Sequence, residues 1–386
     1  MILLAVILMD LLAGMEFDLF VPSFPELQAH FALTPFWVEA LLSANFVGYC
    51  ISLFFVGCLA DHYGRKPIIL SGLLIFVIGS VLCVSAPIYP CLLVGRFLQG
   101  MGVAAPAVLS FLIIADTYAM KKQQFLFAML NGVQNMAVGA APIIGSYMAF
   151  YFQWRGNFAL LLSLGLIVLL LSVLVVPKYK LPEHKETLSL RGYLPLFQSK
   201  PLMLLLVNII LMIIPYWIFV GMSPLLYMKS LGVSLTHFGY YQGVFAFVFA
   251  LGSILFGLIM HRYRQKKLLH VASLIYLLSW IAIVWVTLWG NHNPLFITLA
   301  FLPFVIGQII PGTLLYPLYL NFMPQAKAKA SAILQGFRLI ATAICLQITG
   351  YFYDGSFFNI GLMIAIIIFM VMVTHLFVLK NQELMN

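Results

Sequence analysis

The chain has 386 residues, 63% of them hydrophobic and only 8% charged, with a formal net charge of +9. Soluble domains carry about a quarter charged residues, so this composition excludes a soluble enzyme or adaptor and places the chain in a bilayer. A membrane helix uses about 20 apolar residues, so a dozen of them leave no room for a sizeable soluble domain, and the apolar runs lack the short alternating strands of a membrane β-barrel.

Apolar runs separated by charged or Pro/Gly-containing breaks predict spans at 2–22, 36–60, 68–86, 90–115, 123–150, 157–176, 202–228, 237–260, 268–289, 295–322, 330–353 and 357–379. Residues Met1–Met9 lack a basic leader and a small-residue cleavage site, which reads as a first span rather than a signal peptide. Of the 20 Lys and Arg residues, 16 fall on even-numbered connections, Arg155 and Lys229 on odd ones, and Arg96 and Arg338 inside spans. The positive-inside rule then puts both termini and the polar linker 177–201 in the cytoplasm, and the basic charge is a topology signal rather than a nucleic-acid footprint. The linker divides the chain into six-helix bundles at 1–176 and 202–386, an all-α membrane protein in two halves. The segment Gly57–Lys66 is echoed weakly by Gly257–Lys266. Paired halves of this kind usually build a transporter with its substrate site between them. Cys50, Cys58, Cys83, Cys91 and Cys345 have no metal-site spacing and read as packing residues.

Span 1 carries Asp10, Glu16 and Asp18 in an otherwise apolar run, and each intramembrane carboxylate costs at least about 2.5 kcal/mol at the bilayer centre. At about 100° per residue, Asp10, Gly14 and Asp18 form one stripe, whereas Glu16 lies on the far side and reads as a snorkelling or headgroup contact. Span 1 runs outward and span 4 inward, so Asp18 and Arg96 reach the same outer depth and can approach each other. Such a pair is either a fixed buried salt bridge or a proton switch: burial disfavours a charged carboxyl and a guanidinium favours it, so small motions exchange the two states. Asp10 is a second candidate for proton coupling.

The turn after span 2 reads Gly57-Cys-Leu-Ala-Asp61-His-Tyr-Gly64-Arg65-Lys66. Gly57 admits a close helix approach, Gly64 a tight turn, Asp61 a contact with a helix end or a basic side chain, and Arg65 and Lys66 anchor the inner surface. The segment is either a topology-setting loop or a cytoplasmic latch. Span 4 opens with Arg96-Phe-Leu-Gln-Gly100, and span 5 carries Gly139-Ala-Ala-Pro142-Ile-Ile-Gly145, where the proline removes a backbone donor and predicts a bend. In the second half, the predicted spans hold no acid before Asp354 at their outer edge, but Arg338 sits well inside span 11. It is either a structural cation, a cross-cavity partner for span 1, or a seat for an anionic substrate group. Asn45, Gln134, Asn135, Tyr216, Gln242 and Gln335 are candidate polar substrate contacts or helix-joining hydrogen bonds. The 18 Met and abundant aromatic residues suit an adaptable apolar pocket or plain packing, and Trp37, Trp154 and Trp289 fit an interfacial belt.

Residues 57–66 match the G-x-L-A-D-x-x-G-R-[KR] signature of the major facilitator superfamily. The span 4 segment resembles the R-x-x-Q-G motif of its proton-coupled members, the span 5 segment resembles the G-P-x-x-G motif of its antiporters, and Asp18-Leu-Phe-Val-Pro-Ser-Phe-Pro25 resembles the end of span 1 in bicyclomycin and chloramphenicol resistance transporters. The resemblance implies the major facilitator fold of twelve helices and a drug:proton antiporter of a bacterial inner membrane. Such a protein exports small amphipathic molecules as a monomer, with a proton gradient and no cofactor. Within the same fold, transport of an endogenous anionic metabolite such as a siderophore, and a non-transporting sensor, remain the competing readings. The sequence has no HExxH, GxSxG or GxxxxGK[ST] motif of an intramembrane protease, a hydrolase or an ATP-driven pump.

Overall fold

The structure, a computed structural model, describes residues 2–118, 120–177, 194–289, 293–323 and 327–385, and these form helices with no strand. The first six helices are α1 (Ile2–Met15), α2 (Phe24–His30), α3 (Pro35–Tyr63), α4 (Arg65–Ser85), α5 (Tyr89–Thr117) and α6 (Met120–Val175). They are followed by α7 (Leu194–Gln198), α8 (Lys200–Pro224), α9 (Leu235–Ile259), α10 (Gln265–Trp289), α11 (Pro294–Gly307), α12 (Ile309–Phe322), α13 (Lys327–Phe352), α14 (Phe357–Lys380) and α15 (Gln382–Met385).

Among the described residues, ten helical stretches are long and apolar enough to cross a membrane, and Ile2–Met15 is a shorter apolar helix. One stretch, Gly132–Val175, runs for 44 residues, twice a span's length, and α6 is broken within it at Gln153 (φ 59°, ψ −173°). It is therefore two spans meeting at a turn, which brings the crossings to twelve, and the all-α membrane architecture read from the sequence is the one observed. Most of the linker 177–201 lies outside the described residues.

Two compact units are resolved: Met1–Leu188 with Ser234–Gly243, and Ser189–Val233 with Val244–Asn386. In the first, α5 packs against α3, α4 and α1, and α6 against α1 and α4. Small residues set these approaches: a Cβ at Gly100 would collide with the Asn45 carbonyl, and one at Gly145 with the Leu19 carbonyl. The second unit has a core of Leu202, Leu205, Leu206, Leu315, Leu334 and their neighbours. Phe219 stacks on Phe301 at 4.4 Å in the same unit, and both rings are buried with Phe245 and Phe304. These aromatic side chains are packed core rather than the lining of an open pocket.

The regular helix of span 1 stops at Met15, and a run of turns leads to a short 3-10 segment at Val21–Ser23. Pro22 and Pro25 keep an α-helix from resuming at once, since neither supplies the N–H that would bond the carbonyl four residues back, at Asp18 and Val21. Span 10 is interrupted as well, at Gln308 between α11 and α12.

Trp154 departs from its expected place in an interfacial belt. It is 1% exposed, covered by His30, Phe31 and the Arg155 guanidinium, which lies 4.1 Å from the ring. Arg155 also donates to the carbonyls of Val84 and Ala86, so the turn between spans 5 and 6 is clasped to the end of α4. Trp37 and Trp289 are exposed, as a belt requires.

Candidate functional site

The chemistry of the first unit gathers around Arg96, which is fully buried in α5. Its Nη1 donates to Glu16 Oε1 and to Gln99 Oε1, each at 2.8 Å. Asn45 Nδ2 on α3 donates to the same Glu16 oxygen and to the Arg96 backbone carbonyl at 3.1 Å. Gln99 is itself fixed, since its Nε2 donates to Ser80 Oγ at 2.8 Å and that hydroxyl donates to the Phe76 carbonyl. The guanidinium lies 3.9 Å from the Phe20 ring centroid, giving its face a cation–π contact. Four spans thus hold one ion pair with no exposed surface on either partner.

This arrangement corrects the pairing expected from the sequence. Glu16, not Asp18, is the carboxylate on Arg96, and it neither snorkels nor meets a headgroup. A constant 100° per residue through Asp18 requires an unbroken helix, but the regular helix ends at Met15 and residues 16–20 are turns, so that increment does not relate Glu16 to Asp18. Asp18 is 2% exposed, and its Oδ1 has no hydrogen-bond partner among the described residues. Asp10 is buried, and neither of its oxygens has a hydrogen-bond partner among the described residues. Its expected stripe-mate Gly14 faces α6, where a Cβ would stand 2.9 Å from both the Gln134 carbonyl and the Ala137 Cβ.

The network is not saturated. Glu16 Oε2, Arg96 Nε and Nη2, and Asn45 Oδ1 are buried without hydrogen-bond partners among the described residues. Unused donors on Arg96 and an unused acceptor on Asp18, two residues along the chain from Glu16, leave room for a second carboxylate to compete for the same guanidinium.

The remaining sequence candidates are distributed over both units. Gln134 is half-buried in α6 beside span 1, and Gln242 is buried in α9. In the second unit Tyr216 is half-buried on α8 with its ring 5.8 Å from Trp217, and Gln335 and Arg338 are half-buried on α13. The side chains of Asn135 and Asp61 lie outside the described residues. Gly64 adopts φ 93°, a conformation that demands glycine at this turn, and Lys66 Nζ donates to the Val173 carbonyl at 2.7 Å, capping the end of span 6. Gly57 has open space where a Cβ would stand, so the close helix approach expected there is not made. Gly139, Pro142 and Gly145 all lie within α6, where Ser146 Oγ donates to the Pro142 carbonyl and Gly145 makes room for Leu19.

Two buried groups escaped the sequence reading. Glu39 on α3 has no exposed surface and, among the described residues, no hydrogen-bond partner on either oxygen. His375 on α14 is 1% exposed and donates from Nε2 to the Leu269 carbonyl at 3.1 Å. Both stand as single polar residues inside long apolar runs, and that was the available signal.

Residues 6–346 match the family described as the Major Facilitator Superfamily. The chain belongs to that superfamily. Its sequence is similar to the multidrug resistance protein MdtL of Klebsiella pneumoniae, 29% identical over 44% of this chain and 43% of the relative. The MdtL of Shewanella oneidensis is 26% identical over 65% of this chain and 64% of that protein. The chain spans about half the length of the curated relatives it matches. Among solved structures, a D-xylose–proton symporter superposes with a TM-score of 0.75 at 16% identity, covering 96% of both chains. A bacterial homologue of the human lysosomal transporter Spinster gives 0.73 at 15% identity over 100% of this chain and 97% of the other. At these identities the superposition speaks for the fold. The chain is accordingly a multi-pass membrane member of this superfamily.

Proposed function

We propose that the protein is a proton-coupled secondary active transporter that exports small amphipathic molecules across a bacterial inner membrane by alternating access. In this reading it works as a monomer without a cofactor, its halves 1–176 and 202–386 are joined by the cytoplasmic linker 177–201, and both termini are cytoplasmic. The observation that carries the reading is the fully buried Glu16–Arg96 pair with Asp18 two residues along the chain, its Oδ1 without a hydrogen-bond partner among the described residues. One guanidinium neutralises one carboxylate, so of Glu16 and Asp18 one is ionised on Arg96 and the other holds a proton or meets substrate. Exchanging the carboxylate on Arg96 passes the proton between Glu16 and Asp18 without leaving a bare charge in the membrane, and the proton leaves span 1 when a cationic substrate group takes its place beside the freed carboxylate. Likeness to multidrug resistance proteins over half their length supports an amphipathic substrate and export.

In the cycle, protonation from outside releases substrate, proton release inside restores the carboxylate, and substrate binds again. Asp10 adds a second carboxyl on span 1, Asp61 with Gly57, Gly64, Arg65 and Lys66 serves as the cytoplasmic latch, and Pro142 with its flanking glycines provides a bend in span 5. Asn45, Gln134, Asn135, Tyr216, Gln242, Gln335 and Arg338 contact substrate. Arg338, half-buried in a half whose predicted spans lack acids until Asp354, also supports a second reading in which the substrate is an anionic metabolite.

The test is uptake of a fluorescent lipophilic cation into proteoliposomes under an imposed pH gradient. Asp18→Asn is expected to abolish gradient-driven accumulation while leaving binding of the cation measurable. Accumulation equal to the unsubstituted protein would remove Asp18 from the coupling step.

A further inference from the structure

Glu39 is the buried carboxyl that the site above leaves unused. It stands in the first turns of α3 with no exposed surface, and neither Oε1 nor Oε2 has a hydrogen-bond partner among the described residues. An isolated carboxylate in such surroundings is very costly, so a group placed there exists as the neutral acid and ionises only when water or another base takes its proton. Its position gives that proton a destination. Phe46 follows Glu39 by seven residues, which returns to the same helix face within about 20° and advances about 10 Å along the axis. Phe46 packs on Phe17 with ring centroids 5.3 Å apart, and Phe17 is the residue between Glu16 and Asp18. Buried Ser43 occupies the intervening turn of that face. Glu39 therefore stands about two turns along α3 from the level of Phe17, which separates Glu16 from Asp18, toward the outer end of α3 in the proposed orientation.

The charged and titratable groups on the elements packed against α3 are held elsewhere. Arg96 of α5 is on Glu16 and Gln99, and Tyr89 donates to the Trp37 carbonyl at 2.7 Å. Cys83 of α4 faces the Leu92 carbonyl and Gln99, and Arg65 and Lys66 lie at the opposite end of that helix. On α2, Glu26 accepts from the Trp154 backbone N–H and His30 meets the Phe31 ring edge-on.

Resting on the proton-coupled reading, we propose that Glu39 is the outer proton relay of this transporter, taking a proton from outer water and passing it through intervening water to the Asp18 or Glu16 carboxylate. In each passage an O–H bond breaks on Glu39 and one forms on the receiving carboxylate. Glu39 is then a carboxylate until outer water returns a proton, and no other reactant is needed.

The test uses the full chain in proteoliposomes, with ethidium as the transported probe and the initial rate measured against outer pH. Glu39→Gln and Glu39→Leu are expected to slow gradient-driven flux at least about tenfold and to flatten its dependence on outer pH. Ethidium affinity and ethidium-induced proton release in detergent are expected to stay at the level of the unsubstituted protein, and Glu39→Asp to recover most of the rate. Unchanged rates and pH profile in Glu39→Gln would overturn the proposal. So would failure of Glu39→Gln to fold, because glutamine copies the shape of the neutral acid and misfolding would mean that an ionised Glu39 is a structural charge. Absence of any pH-driven flux in the unsubstituted protein would instead count against proton coupling itself.

Discussion

Arg96 is held by an ion pair with no exposed surface on either partner. Removing one member of such a buried pair strands the other, and the loss is typically about 3–5 kcal/mol. Glu16→Met and Arg96→Met are each expected to lower thermal stability by about that amount. The double substitution should cost less than the sum of the two, with a coupling of roughly 0.5–3 kcal/mol. Strictly additive losses in detergent melts would mean that the two side chains do not share one interaction. At this scale the sequence showed which residues are unusual, namely three acids in span 1 and an arginine in span 4, but not which of them meet. The reason is local: the regular helix ends at Met15 and residues 16–20 are turns, so a fixed angular increment does not relate Glu16 to Asp18. Glu39 was overlooked because it lies four residues inside a predicted span boundary, where an acid looks like an ordinary interfacial residue.

Helices in a bilayer pack through small residues, and the glycines of this chain divide by what surrounds them. Gly145 faces the Leu19 carbonyl so closely that a methyl group has no room, whereas nothing lies near the Cβ position of Gly57. Gly145→Ala is therefore expected to destabilise the protein by about 1–3 kcal/mol through a forced shift of span 1 against span 5. Gly57→Ala is expected not to lower the melting temperature. Equal melting of both variants would contradict the close approach at Leu19. Element positions were legible because the apolar runs are long and the breaks carry charge, Pro or Gly. The turn at Gly64 was legible too, since a glycine between two spans is the residue that φ 93° requires. The interruption of span 10 at Gln308 was not, because prolines are common in membrane helices and do not by themselves mark where a helix stops. Trp154 was misplaced for a similar reason: position near a span end cannot distinguish a ring facing lipid from one covered by a neighbouring arginine.

The whole molecule is a membrane protein in which buried acids outnumber buried arginines in the first unit. Asp10, Glu16, Asp18 and Glu39 are all buried there, and Arg96 is the fully buried arginine that meets one of them. Composition and the placement of lysine and arginine made the membrane architecture readable from sequence alone, because the bilayer constrains span length and charge placement strongly. The chemistry was only partly readable, because it depends on contacts between spans far apart in the chain. The central claim is that binding substrate and binding a proton compete at the span 1 carboxyls. The most direct test is proton release from the purified protein in weakly buffered detergent as a lipophilic cation, a neutral antibiotic or a polycarboxylate is added. The account predicts that one of these ligands displaces protons, that Asp18→Asn or Glu16→Gln abolishes the release, and that the effective ligand identifies the substrate class. Saturable binding without proton release in the unsubstituted protein would contradict it, leaving the Glu16–Arg96 pair as a structural element of the bundle.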